Sequence, residues 1–268
     1  MSSFSETAYA KLNLALHVRG KRADGYHDIE TIFAFCEDGD ELSGDRADDL
    51  SLEVSGPFAA DIPDNDANLV IEAARVVRLA TEVSAGASLQ LVKNLPVASG
   101  IGGGSADAAA VLRLLTRLWG IPASEAVEVA PLLGADVPAC LLSQSCHGVG
   151  AGERVEPIEL GLSGTLVLLV NPGIPLSTKV VFEVWDGVDR GPLEGWRDGR
   201  NDLEPAAISR VPEIAEVLAW LRGQQGADFV RLSGSGATCF ALFADEAARD
   251  RAASQVPQPW WYLATRLR

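Results

Sequence analysis

The sequence predicts an α+β protein, and three observations carry that expectation. Residues 8–18 place Ala10, Leu12, Leu14, Leu16 and Val18 on alternate positions, the period of a half-buried strand. Residues 88–119 read as a strand, a glycine turn and a helix rich in Ala and Leu. The other strand-like segments look antiparallel and are mixed with helices, which is the α+β pattern.

Lys11, Asn13 and His17 share the other face of the first strand, and a loop with Asp24 and Gly25 follows it. Segments 28–35 and 50–54 are strand-like, and the turn residues 63–68 lead into an Ala/Val-rich helix over 69–81. Residues 88–92 form a strand, and the helix over 106–119 stops at Gly120 and Pro122. A second helix is expected over 125–133 with Ser124 as its N-cap, and a strand pair over 149–158 around Ala151 and Gly152. Near 161–164 the composition turns to loop, a soft boundary that divides the chain into 1–160 and 161–268. The second part opens with a strand over 166–170 ending in Asn171-Pro172-Gly173. A loop follows, then a helix over 213–222, strands at 229–232 and 238–243, a short helix over 246–254 and a last strand over 260–266.

With 268 residues and 47% apolar content, the chain can bury a core without disulfides or a structural metal. No apolar run approaches the roughly 18 residues of a membrane span, and the polar start, residues 1–7, lacks a basic-then-apolar leader. A soluble, cytoplasmic protein is expected. Cys36, Cys140, Cys146 and Cys239 form no Cys-x-x-Cys pair, and His17, His27 and His147 show no ligand spacing with them. Buried thiols and no protein metal centre are therefore expected. A net charge of −15 opposes extended contact with nucleic acid, which depends on many Lys and Arg releasing counterions. A small anion can still be held by local dipoles.

The strongest chemical signal is LPVASGIGGGSADAAA from Leu95. Gly102, Gly103 and Gly104 let backbone approach a ligand closely while Ser105 opens a helix, whose exposed N–H groups and dipole favour phosphate. It is neither a Walker loop, since no Lys follows the glycines, nor a dinucleotide fingerprint. Asp136, in LGADVP, is a candidate general base for an attacking hydroxyl; two places before Pro138 it also fits a helix N-cap. Lys11 could neutralise charge or keep such a carboxylate ionised, or simply lie solvated on an open strand face. Tyr26 and His27 fit stacking on a base and hydrogen bonding to it, or packing over their own loop. Phe182 reads as core, and Trp260, Trp261 and Tyr262 as core and rim of the last strand. The second glycine turn, SGSGATC from Ser233, is either a tight connection between strands or a close approach to the first turn.

Taken in order, AYAKLNLALHV from Ala8, RADGYHDIET from Arg22, the glycine loop, LGADVPACL from Leu133, GVGAGERVEPI from Gly148, PLSTKVVF from Pro175, RNDLE from Arg200 and RLSGSGATCFALF from Arg231 resemble the GHMP kinase superfamily over nearly the whole chain. Ser99-Gly100-Ile101 stands where many members carry Ala-Gly-Leu, and Thr178-Lys179 where Thr-Pro is commoner. The resemblance implies a two-lobed fold: residues 1–160 a lobe like the second domain of ribosomal protein S5, holding ATP and the catalytic groups, and 161–268 a ferredoxin-like lobe completing the substrate cleft. It implies Lys11 and Asp136 as catalytic residues. Pro96, Val97, Ala98, Ser99, Gly100, Ile101, Gly102, Gly103, Gly104 and Ser105 would form the ATP loop, and Asn13, Tyr26, His27, Thr178 and Phe182 a cytidine pocket. ATP with Mg²⁺ would phosphorylate the 2-hydroxyl of a cytidine diphosphate derivative on the non-mevalonate route to isoprenoids. No nucleic acid or membrane partner is implied, and a monomer or weak homodimer is expected. A kinase for a sugar, homoserine or a mevalonate-type alcohol, and a nucleotide-binding regulator without turnover, remain the alternatives.

Overall fold

The computed structural model describes residues 4–62 and 68–268; the expected turn residues 63–67 lie outside them. The chain runs β1 (Phe4–Lys21), β2 (His27–Ala47), β3 (Leu50–Ser55), a 3-10 turn (Ala59–Asp61), α1 (Leu69–Ala80), β4 (Gly86–Val92) and α2 (Gly103–Trp119). It continues through α3 (Ala123–Leu133), α4 (Val137–Leu142), β5 (Cys146–Gly150), β6 (Arg154–Pro157), β7 (Leu166–Asn171), α5 (Thr178–Glu183) and α6 (Glu204–Arg210). It ends with α7 (Glu213–Arg222), β8 (Ala227–Leu232), β9 (Cys239–Phe243), α8 (Glu246–Ser254) and β10 (Trp261–Arg266). No helix among the described residues is long and apolar enough to cross a membrane.

Two compact units result, and β1 and β2 supply residues to both. The first comprises Met1–Ala10, Asp38–Val97 and Gly102–Ser143. Here the C-terminal half of β2 pairs antiparallel with β4, Glu41 opposite Val92 through Ala47 opposite Gly86. β3 pairs parallel with β4, with α1 as the crossover between them. Asn68 caps α1 by accepting a 2.9 Å bond from the Val70 N–H. Helix α2 is buried on nearly every side. Ala106, Ala108, Ala109 and Ala110 let it approach its neighbours α1, α3 and α4, while Leu112, Leu114, Leu115 and Leu118 fill the space between. Arg113 ties this unit's chain start to α2, donating to Thr7 O at 2.9 Å and to Cys140 O at 2.9 Å and pairing with Glu6 at 2.8 Å.

The second unit comprises Lys11–Glu37, Ala98–Ile101 and Gln144–Arg268. Within it the N-terminal half of β2 pairs with β5, and β5 with β6 around the turn at Ala151 and Gly152. The four strands after residue 161 form an antiparallel sheet ordered β10-β7-β9-β8, the order of a ferredoxin-like split βαβ fold. Its core is Leu166, Leu168, Val170, Ala241 and Phe243 against Ile214, Val217 and Leu221 of α7 and Ala248 and Ala252 of α8.

Several expectations change. The first strand is not half-buried: residues 11–18 are buried on both faces. Segments of the second unit satisfy its backbone where solvent was expected, with Lys11 N–H donating to Ile101 O at 2.9 Å, Leu16 N–H to Arg200 O at 2.8 Å and Val18 N–H to Asp202 Oδ2 at 2.8 Å. The strand expected over 28–35 continues to Ala47, because Asp40 and Gly44 take inward positions that hydrophobic alternation does not register. Helix α3 starts at Ala123 after an extended Pro122, so Ser124 lies inside it and does not cap it. Helices α5 and α6, with six and seven residues, fall where no element was expected, and α4, with six, follows the helix start that Asp136 and Pro138 offered; all three are too short to display a helical period. All four cysteines are buried, as expected, and none is in a disulfide.

Gly39 marks the tightest backbone approach in the first unit: a Cβ there would stand 2.0 Å from Ala8 O. We expect Gly39→Ala to destabilise by about 3 kcal/mol or more, beyond the usual overpacking range. Gly20, with nothing within 4 Å of its Cβ position, is the control, and Gly20→Ala should stay within about 0.5 kcal/mol in urea unfolding. Equal midpoints for the two variants would refute the register of this approach.

Candidate active site

In the first unit, α2 begins at Gly103 and not at Ser105: Gly102 occupies the N-cap position with a left-handed φ of 70° and offers no side-chain cap. Gly103, Gly104 and Ser105 thus form the first helical turn, whose N–H groups have no partner within the helix. The surface above them is glycine backbone, so an anion can approach the dipole's positive end closely. Pro96 is buried and Val97 half-buried just before this turn.

Directly behind the turn lies a cluster that sequence reading missed. Lys93 is buried, with Nζ 2.6 Å from Asp107 Oδ2 and also bonded to Asp40 Oδ2. Asp40 Oδ1 accepts the N–H groups of Asn94 at 2.6 Å and Leu95 at 2.8 Å. Burial alone would lower the lysine's pKa, but the two carboxylates, Asp107 more than Asp40, outweigh it and keep the ammonium charged. Burial pushes the Asp107 carboxyl up to about 7, opposed by Lys93 and reinforced by Asp40. Only the isolated Lys93 before Leu95-Pro96 hinted at this, and a lysine at a strand end ordinarily reads as solvated.

Asp136 stands half-buried at the start of α4 with helical angles (φ −85°, ψ −12°), and its side chain makes no cap bond there. Asp136 thus occupies the N-cap position that the Asp-x-Pro spacing predicts, but its side chain does not make the capping bond. Its carbonyl accepts the Cys140 N–H at 3.0 Å.

In the second unit, Lys11 is 3% exposed, which overturns the solvated alternative. Its ammonium donates to Asn13 Oδ1 at 2.8 Å and lies 5.3 Å from the Phe33 ring centroid. Asn13 Nδ2 donates to Thr31 Oγ1 at 2.8 Å, and that hydroxyl donates to Ala15 O at 2.7 Å, so a relay of hydrogen bonds fixes the Asn13 amide. The second glycine turn closes on residues 98–101 of the same unit. Thr238 N–H donates to Ser99 O at 3.0 Å, Ser233 Oγ to Gly100 O at 2.9 Å, and Asn13 N–H to Ser233 Oγ at 3.2 Å. Gly100 has φ 79°, and a Cβ on it would meet Ser233 O at 2.4 Å. Ile101 is buried and Ala98 exposed.

His27 stacks on Phe182 with centroids 4.7 Å apart and meets Trp185 edge-on at 5.7 Å. Burial, helped by the charge of Lys21, holds the His27 imidazole below its ordinary value, so the ring is neutral at pH 7. Thr178 Oγ1 and Ser235 Oγ lie 2.9 Å apart, joining α5 to the second glycine turn. Tyr26 is 62% exposed and does not pack down over its own loop. The structure thus brings His27, Phe182, Thr178 and Asn13 into one unit with Lys11, and Tyr26 stands at its surface.

Residues 68–144 match the family model "GHMP kinases N terminal domain" and residues 188–260 match "GHMP kinases C terminal". A 4-diphosphocytidyl-2-C-methyl-D-erythritol kinase of Novosphingobium aromaticivorans is 52% identical over 99% of this chain and 93% of its own. One of Rhizorhabdus wittichii is 51% identical over 98% of this chain and 94% of its own. A crystal structure of 4-(cytidine 5'-diphospho)-2C-methyl-D-erythritol kinase superposes with a TM-score of 0.84 at 32% identity, covering 98% of this chain and 99% of that one. Homoserine kinase from Cytophaga hutchinsonii shares the fold, with a TM-score of 0.73 at 15% identity over 100% of this chain and 95% of its own. The chain belongs to the 4-diphosphocytidyl-2-C-methyl-D-erythritol kinase family of the GHMP kinases, enzymes that use ATP to phosphorylate a small molecule.

Proposed function

We propose that this protein transfers the γ-phosphoryl group of ATP to the 2-hydroxyl of 4-diphosphocytidyl-2-C-methyl-D-erythritol, giving the 2-phosphate and ADP in the non-mevalonate route to isoprenoids. The observation that carries the phosphoryl chemistry is the glycine-built, uncapped first turn of α2. The names of relatives at 52% and 51% identity support the substrate. Residues 96–105 would surround the triphosphate. Mg²⁺ would travel with the ATP phosphates and neutralise charge on them, and no set of protein ligands is assigned to it.

In this reading Asp136 accepts the proton of the attacking hydroxyl and Lys11 orients and polarises the reacting groups, its ammonium aimed by Asn13. The cytidine pocket draws on Asn13, Tyr26, His27, Thr178 and Phe182. A base would stack on Tyr26, and the neutral His27, fixed against Phe182, would hydrogen-bond its polar edge. A division of the chain near residue 160 is supported by the two family models falling on either side of it, although by packing Lys11–Glu37, Ala98–Ile101 and residues 144–160 group with the later residues. The acidic balance supports small-molecule partners rather than nucleic acid, and we place the protein in the cytoplasm as a monomer or weak homodimer.

Asp136→Asn should lower kcat by roughly 10²- to 10⁴-fold with ATP affinity little changed, the usual contribution of a positioned acid or base. Near-normal turnover of that variant would remove Asp136 from the chemistry. Tyr26→Ala should weaken binding of CDP by about 1–3 kcal/mol, or roughly ten- to a hundred-fold, the range for base stacking on an aromatic ring. ATP binding should hardly move. Equal CDP affinity in the parent and Tyr26→Ala, measured by calorimetry on folded protein, would displace the cytidine pocket from this loop.

A further inference from the structure

We propose that Lys93, Asp40 and Asp107 are positioning residues for the phosphate-binding turn, a buried charge cluster that fixes the first turn of α2 and sets the charge directly behind it. The inference rests on reading that turn as the ATP-phosphate site. Lys93 is anchored along its whole length. Its backbone N–H donates to Ser55 O at 2.7 Å, its carbonyl accepts Phe58 N–H at 3.2 Å, and its ammonium is gripped between the two carboxyl groups. A Cβ built on Gly103 would stand 3.1 Å from Lys93 Nζ and 3.9 Å from Asp40 Oδ2. The ammonium therefore touches the inner side of the backbone whose outer side would face phosphate, and the missing side chain at Gly103 is what lets it come so close.

The two carboxyl groups are not equivalent. Asp40 accepts hydrogen bonds from two backbone N–H groups as well as from Lys93. Asp107 is 3% exposed, and its Oδ1 has no hydrogen-bond partner among the described residues. Among the described residues the charged groups facing it are Lys93 just after β4 and Asp40 on β2. The buried side chains of α1, α3 and α4 around α2 are apolar apart from the Cys140 thiol. With both carboxyls ionised the cluster carries one net negative charge in a dry site behind a phosphate; with Asp107 protonated it is neutral.

Polyphosphate arriving at the turn favours the neutral state, so binding takes up a proton at Asp107. The sign follows: burial raises the Asp107 carboxyl to about 7, and nucleotide affinity should fall as pH rises through that region. Asp107→Asn keeps the polar contact with Lys93 but removes the titration. The test is calorimetry of adenosine 5′-(3-thiotriphosphate), whose terminal group is already ionised, from pH 6 to 8.5 in two buffers of different ionisation enthalpy. The parent should take up a fraction of a proton near pH 7 and weaken roughly three- to tenfold across the range, while Asp107→Asn takes up none and stays flat. The cytidyl substrate's KM should not follow this profile in either protein. Zero proton uptake by the parent, or the same pH slope in both, overturns the proposal while leaving the nucleotide site standing. Absence of nucleotide binding by the parent overturns the site reading and the proposal together. Should Asp107→Asn not fold, proton uptake by the parent alone decides.

Discussion

A single lysine ammonium held between two buried carboxyl groups is the constraint on which the N-terminal end of α2 depends. The lysine lies just after β4 and its two partners come from β2 and from the helix itself, so the cluster binds three separate stretches of sequence to one point. Removing the lysine would leave its two carboxyl groups buried without a counter-charge and cost about 3–5 kcal/mol. A hydrophobic cluster of the same volume would hold the segments together as firmly. What it would not supply is a carboxyl behind the first turn of α2 whose protonation changes the net charge there.

The second unit solves a different problem, that of keeping polar side chains at defined angles inside a packed core. Lys11, Asn13 and Thr31 hand hydrogen bonds from one to the next until they reach the Ala15 carbonyl, so each buried donor has an acceptor. The same strand's outer backbone groups are met by Ile101, Ser233, Arg200 and Asp202. Gly100 permits this closure because its φ and the 2.4 Å approach to Ser233 O exclude any side chain. The His27–Phe182 stack fixes α5 against the start of β2 in the same manner, by shape and not by charge.

The sequence made legible those features that follow a short period or a turn signal. The strand around Leu12, the helix 106–119, the hairpin at Gly152 and the last four strands with their helices all appear close to their expected bounds. The outer half of β2 was hidden because Asp40 and Gly44 point inward, which inverts the usual rule of alternation. Asp40 stood in an acidic run that looks like a solvated loop, and Asp107 in an Ala-rich helix where one polar residue looks like surface. Their partnerships with Lys93 span 53 and 14 residues of chain and leave no local trace. Lys11 was singled out for its neighbours in sequence, yet its burial was not, since covering both faces of a strand requires segments 90 to 220 residues away.

The measurement that tests the account most directly is ADP release with ATP across a panel of alcohols: 4-diphosphocytidyl-2-C-methyl-D-erythritol, homoserine, mevalonate and galactose. The account predicts ATP-dependent turnover on the cytidyl alcohol with a kcat/KM at least about 10³-fold above any other member, because a site built to hydrogen-bond and stack a base leaves those groups unpaired with a ligand lacking one. Comparable turnover on homoserine, mevalonate or galactose, or none on the cytidyl alcohol, would contradict it.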